Sequence, residues 1–268
     1  MASSDLLSLA GQRALVTGAS AGIGRAIAEE LARAGADVAV NYHGSAEKAG
    51  EVVRGVQALG REAASIRADV SSEAEVQALF DEAERCLGPI DIVVSNAGIQ
   101  KDAPIADMSL DDWNAVIGTN LTGAFLVGRE AIRRFRRNTE SVGASRGKLI
   151  FNSSVHQRIP WAFRANYAAS KGGMRLLMES LAQEVACEKI RVNAVAPGAI
   201  ATAINAQDRE GEGEREMLKL IPYGRVGQPA DVGRCVAWLA SDAADYIVGQ
   251  TIFVDGAMTL YPEFRGGG

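Results

Sequence analysis

The sequence predicts an α/β protein: a doubly wound, parallel, seven-stranded sheet with helices on both faces, in one domain spanning 1–268. Three observations carry that expectation. Short apolar, β-branched runs alternate with longer amphipathic stretches along the whole chain. The first run is followed by a glycine-rich turn, Gly18-Ala19-Ser20-Ala21-Gly22-Ile23-Gly24, that opens a helical stretch. No internal stretch has the composition of a linker.

In chain order, strands are expected near 13–17, 36–41, 63–67, 91–95, 148–152, 190–195 and 251–254. Helices are expected near 24–34, 46–59, 73–87, 111–136, 166–186 and 230–240. Such alternation implies right-handed crossovers and ligands bound beyond the strand C-termini. The polar stretch from Asn138 to Gly147 reads as a surface loop. A substrate segment is expected at about 200–222; within it 206–216, charged and carrying two glycines, reads as a solvated connection or as a piece that closes over substrate. The cations of Arg133-Arg134-Phe135-Arg136-Arg137 complement a helix C-terminus. The tail at 256–268 is apolar for a terminus.

Composition narrows the function. With 47% hydrophobic and 23% charged residues, the chain is an ordinary soluble globular one, long enough for a buried core. A net charge of -5 gives no electrostatic reason for nucleic acid or an anionic membrane as partner. Cys86, Cys187 and Cys235 are scattered, which fits a reducing cytoplasm. His43 and His156 lack ligand-like spacing, so no metal site is expected. The N-terminal stretch has neither a basic region nor a long apolar core, so no secretory signal is expected, and no run approaches membrane-spanning length.

Two stretches carry chemistry. Gly18 and Gly22 let the backbone turn tightly and approach a diphosphate, Gly24 allows close helix–strand packing, and the helix N-terminus offers N–H groups to an anion. Further on, Tyr167 and Lys171 stand one helical turn apart on one face. A phenol ionises near pH ~10; an ammonium beside it is expected to draw that value down, and a shift of ~3 units requires about 4 kcal/mol. Ser154, just after an apolar run, is placed to hold the oxygen of a substrate.

Thr17-Gly18-x-x-x-Gly22-Ile23-Gly24, Asp69-Val70, Asn96-Ala97-Gly98, Asn120, Ser154, Tyr167-x-x-x-Lys171 and Pro197-Gly198 occur in an order that resembles the short-chain dehydrogenase/reductase family over essentially the whole chain. The resemblance implies a Rossmann-type fold and an NAD(P)-dependent oxidoreductase. It implies that Asn120, Ser154, Tyr167 and Lys171 are catalytic, with Tyr167 the general base and Asn120 helping to anchor a proton-carrying water chain. It also implies that Gly18, Ser20, Gly22, Ile23, Gly24, Asn41, Tyr42, His43, Asp69, Val70, Asn96, Ala97, Gly98, Tyr167, Lys171, Pro197, Gly198, Ile200 and Thr202 bind the cofactor. The second strand ends Asn41-Tyr42-His43-Gly44-Ser45 with no acid at its tip, Asp37 coming too early, so NADP is expected before NAD.

The stretches 153–161 and 197–206 and the tail resemble the bacterial glucose 1-dehydrogenase branch, with Gln157, Ser95 and Ala257 as departures. That likeness implies a sugar-like secondary alcohol, glucose to gluconolactone in type, with Ser154, His156 and Asn205 bonding its hydroxyls and Trp161 facing its ring. A carbonyl or 3-oxoacyl-thioester reductase is the alternative. A silent nucleotide-sensing scaffold would need a broken catalytic set, and this one is intact. A serine hydrolase built on Ser154 and His156 is set aside, since no Gly-x-Ser-x-Gly elbow is present. The expected partners are a small-molecule substrate and, by resemblance, three further copies in a homotetramer.

Overall fold

The computed structural model describes residues 5–202 and 212–260. Its centre is one parallel sheet in the order β3-β2-β1-β4-β5-β6-β7. The strands are β1 (Arg13–Val16), β2 (Asp37–Tyr42), β3 (Ala63–Arg67), β4 (Ile92–Ser95), β5 (Gly147–Asn152), β6 (Ile190–Pro197) and β7 (Thr251–Val254). The helices are α1 (Gly22–Arg33), α2 (Ala46–Ala58), α3 (Glu73–Leu87), α4 (Leu110–Ile117), α5 (Gly123–Arg137), α6 (Ala165–Val185), α7 (Glu212–Lys219) and α8 (Pro229–Ala240). The chain first builds outward from β1 to β3, then returns to lay β4 on the other side of β1. That reversal opens a crevice at the strand C-termini.

The central strands are buried on both sides, and alternate residues serve opposite faces. Leu15, Val93, Leu149, Phe151 and Val192 join the apolar cluster built with α3, α5 and α6. Ala14, Val16, Val38, Val40, Ile92 and Ile150 join the one built with α1, α2 and α8. Each such buried Val, Leu, Ile or Phe stabilises the fold by roughly 1.5–3 kcal/mol relative to exposure.

Three features depart from the sequence reading. The stretch expected as one helix over 111–136 is two, joined by a wider turn over Gly118–Thr122 that carries the buried Asn120 inward. Of the segment expected to be irregular at 206–216, residues from Glu212 onward belong to the helix α7, while 203–211 lie outside the described residues. The loop expected over 138–147 ends at Arg146, Gly147 already belonging to β5, and it is pinned, the Asp242 carboxylate accepting from the Ala144 N–H at 3.2 Å.

The N-terminal edge of the sheet holds a buried polar cluster. Lys148 is fully buried and donates from Nζ to Gln12 Oε1 at 3.0 Å and to the Val142 carbonyl at 3.1 Å. Burial pushes the Lys148 ammonium down and the Asp91 carboxyl up, and the charge of each partly restores the other. Arg191 donates to the carbonyls of Leu239, Ala240, Ser241 and Ala244 and to Ser145 Oγ, closing the C-terminal end of α8. Among the described residues no helix is long and apolar enough to cross a membrane, and no cluster of His, Cys, Asp or Glu could hold a metal ion.

Candidate active site

At the opposite edge, the strand tips are joined by side-chain amides. Asn41, at the end of β2, donates to the carbonyls of Ile66 (3.3 Å) and Ala68 (3.1 Å) beside β3 and accepts from the Gly18 N–H at 3.1 Å. Asn96, after β4, donates to the Thr17 and Gly18 carbonyls at 2.8 and 3.1 Å. Its oxygen is thereby left as the acceptor, and Asn152 at the end of β5 donates to it at 2.8 Å. The Asn152 carbonyl in turn accepts from Lys171 Nζ at 2.8 Å. One polar chain therefore runs from β3 to the lysine on α6. The Asn152 Oδ1 is buried with no hydrogen-bond partner, a cost of about 1–3 kcal/mol for such a group.

The glycine turn fits a diphosphate. Helices α2, α3 and α4 each begin at a serine, Ser45, Ser72 and Ser109, whose side chain accepts a backbone N–H, and each has acid in its first turn. Helix α1 begins at Ala21 with neither a side-chain cap nor an acid. Its first N–H groups and dipole are left for an anion. Gly18 and Gly22 take positive φ of 60° and 56°, where a side chain would be strained. A Cβ at Gly24 would stand 2.4 Å from both Asn96 Nδ2 and the Gly18 carbonyl, so helix, turn and Asn96 meet there without room for a methyl group.

Tyr167 and Lys171 lie on α6, packed against the end of β5 and the short turn Val155–Gln157 that Ser154 opens. The Ser154 hydroxyl, which accepts from the His156 N–H at 3.2 Å, lies close enough to the phenol to pull the Tyr167 pKa down. Lys171 is 4% exposed, its Nζ is 5.6 Å from the Tyr167 ring centroid, and no carboxylate among the described residues lies within ion-pair distance. Burial lowers its pKa to about 8. Tyr167 corrects the sequence reading. Burial pushes its phenol up, the Ser154 hydroxyl and the charge of Arg164 pull the other way, and Lys171 is not among the causes. The lysine rests on the Asn152 carbonyl, beside the ring rather than on its hydroxyl oxygen.

Other expected residues fall out as follows. The Asn120 side chain exchanges hydrogen bonds with the Ile99 backbone (2.8 and 2.9 Å) and donates to Ser170 Oγ at 3.2 Å, tying the loop after β4 to α6. Asp69 accepts from the Ser71 N–H and hydroxyl through Oδ1; burial opposes its charge, but these bonds hold the carboxyl below the usual range. Its Oδ2 lies 3.9 Å from His43 Nε2. Thr202 approaches the turn, its methyl 3.6 Å from where a Gly22 Cβ would stand. Asn41, expected to meet a ribose phosphate, is 1% exposed with its amide committed to backbone, so it shapes the turn instead.

His156 donates from Nδ1 to the Ile159 carbonyl at 3.1 Å, which fixes the tautomer and leaves Nε2 as an acceptor. Burial and then the charge of Arg164 lower its pKa, against the Ile159 bond, and keep the ring neutral. Trp161, expected to face a sugar ring, instead stacks on His156 at 4.1 Å and lies under the Arg164 guanidinium at 3.4 Å. Arg164 is itself paired with Asp102 at 2.8 Å. Asn205 lies outside the described residues. Two site residues escaped sequence reasoning: Asn152, whose one signal was its place just before Ser153-Ser154, and Arg164, which has no signal short of the fold.

Comparison with known proteins agrees with this geometry. Residues 18–259 match the family described as enoyl-(acyl carrier protein) reductase, a branch of the short-chain dehydrogenases. A 3beta-hydroxysteroid dehydrogenase 1 of Eggerthella lenta is 46% identical over 260 residues, covering 97% of this chain and 98% of that protein. Glucose 1-dehydrogenase 2 of Bacillus subtilis is 42% identical, covering 95% and 97%. The crystal structure of a gluconate 5-dehydrogenase from Burkholderia cenocepacia, in complex with NADP and tartrate, superposes with a TM-score of 0.87 at 37% identity, covering 96% and 98%.

Proposed function

This chain belongs to the short-chain dehydrogenase/reductase family, and from that premise we propose that it interconverts a ring-borne secondary alcohol and its ketone or lactone with NADP, or NAD, as hydride partner. The observation that carries the reading is the set at the end of β5: Ser154 beside Tyr167, and next to them the buried Lys171 ammonium on the Asn152 carbonyl, with no counter-ion among the described residues. The bound dinucleotide supplies the hydride acceptor or donor. Ser154 holds the substrate oxygen, and Tyr167 exchanges the hydroxyl proton with it. Lys171 keeps two donors beyond the one on Asn152, enough to hold a ribose diol. Because burial keeps the phenol protonated at neutral pH, Tyr167 stands ready as an acid for reduction, and oxidation is favoured as pH rises.

For the substrate, a sugar of the glucose type is the first reading, supported by the polar pair Ser154 and His156 beside Tyr167 and by the 42% identical relative. A hydroxysteroid is the second. It is supported by the exposed apolar Ile105 (73%) and Phe163 (65%), whose loops are joined by the Ala103 N–H on the Phe163 carbonyl, and by the 46% identical relative. A spectrophotometric screen of sugars and hydroxysteroids with each oxidised cofactor, and of ketones and oxoacyl thioesters with each reduced one, separates these readings; turnover with none of them sinks the proposal. We further propose a homotetramer working in the cytoplasm, supported by the exposed Phe125 and Leu176 on α5 and α6 and by three unpaired cysteines. A monomer in size-exclusion light scattering would overturn that assembly.

A further inference from the structure

We propose that Arg67 is the residue that reads a phosphate on the adenosine ribose, the group by which NADP differs from NAD. The inference rests on the dinucleotide reading above and names the side chain that sets its preference. Three polar groups around the tip of β2 are already engaged. Asn41 has committed its amide to Gly18, Ile66 and Ala68. The Ser45 hydroxyl caps α2 by accepting from the Lys48 N–H. Arg25, in the first turn of α1, is held by Glu29 at 2.8 Å and by Glu51 at 3.4 Å.

The sheet brings a cation from the neighbouring strand. Register pairs Tyr42 with Arg67, so the last residue of β3 stands level with the last residue of β2. Ile66 points into the core and Arg67 out to solvent. Arg67 Nε donates to the His43 carbonyl at 3.3 Å, which lays the guanidinium across the tip of β2. Its two terminal nitrogens make no hydrogen bond or ion pair among the described residues. A guanidinium held by one edge and open at the other suits two-point contact with a phosphate monoester. No acid occurs between Asn41 and Ala46 to repel the dianion. Asp69, two residues beyond Arg67, is bonded to Ser71 through Oδ1. The pairing is invisible along the chain because His43 and Arg67 are 24 residues apart.

The test is calorimetric binding of adenosine 2′,5′-bisphosphate and of 5′-AMP to the full chain without turnover. Wild type is expected to bind the bisphosphate more tightly. Arg67→Ala is expected to weaken the bisphosphate by about 10- to 100-fold, the range for one lost charge-assisted contact, and 5′-AMP by no more than about twofold. Arg67→Lys should retain part of the preference, and Arg67→Glu should reverse it. Melting curves of the variants should overlay wild type, since the side chain is exposed. Equal affinity for the two nucleotides in wild type, or an Arg67→Ala loss shared equally by both, overturns the assignment while leaving dinucleotide binding intact. Failure of both nucleotides to bind wild type removes the dinucleotide reading and this inference with it.

Discussion

Lys148 and Lys171 are two buried cations fastened to the two ends of β5, and they are opposite in kind. Lys148 sits among charges of both signs: Asp91, Asp242 and Asp245 restore its ammonium while burial and Arg191 depress it. Around it Gln12, the Val142 carbonyl, Asn138 and the Arg13 N–H satisfy the partners. Lys171 has one carbonyl and, among the described residues, no acid, and burial alone takes it to about 8. A buried charge enclosed by counter-charges and acceptors holds strands together. One left without them is unfavourable to the fold, which is where a proposed function is looked for.

The sharpest break between the two ends is catalytic. Tyr167→Phe is expected to lower kcat by about 10³-fold or more, at the upper end for loss of a positioned acid–base, while dinucleotide affinity measured by fluorescence titration stays within a few-fold. Lys171→Met should cost about 10²- to 10³-fold in kcat, yet its melting temperature at pH 7 should not fall, because an uncompensated charge leaves with it. Lys148→Met should do the reverse. Chemical denaturation is expected to show a loss of about 1–3 kcal/mol, since Gln12 Oε1 and the Val142 carbonyl lose their donor, with kcat per folded molecule unchanged. If both methionine variants lost stability equally, the contrast would be wrong.

Smaller effects refine it. Gly24→Ala should destabilise by about 1–3 kcal/mol through overpacking against Asn96 and the Gly18 carbonyl, and should weaken the dinucleotide as well. The smallest effect is in pH. The folded pKa of Lys171, about 8, lies below its unfolded value of 10.5, so between them the unfolded chain binds more protons and stability rises with pH. Relative to Lys171→Met, wild type should gain about 1 kcal/mol from pH 7.5 to pH 9 in thermal melts. A gain on acidification over that interval would contradict the depressed value.

What sequence alone could deliver follows the same division. The strands and helices were legible because parallel strands buried on both faces leave short β-branched runs between longer periodic ones. The glycine turn, Ser154, Tyr167 and Lys171 were legible as spaced motifs. The break at Gly118–Thr122 was not, since amphipathic periodicity runs through it without a proline or a cap. The direction of the Tyr167 shift was not either, because spacing along a helix shows which groups are close but not how much water each has lost. Asn41 was misjudged for a related reason: the carbonyls that engage its amide come from β3 and its loop, beyond the reach of any local pattern.

The amide chain from Ala68 through Asn41, Gly18, Asn96 and Asn152 to Lys171 welds five strand tips into a single plate. Nucleotide seat and proton-handling group are therefore not separately adjustable parts. On the proposed function, a change of substrate would then have to come from peptide outside that weld, such as the stretch bearing Trp161 and Phe163. Transplanting that stretch between relatives ought to trade one specificity for another while the plate carries on unaltered.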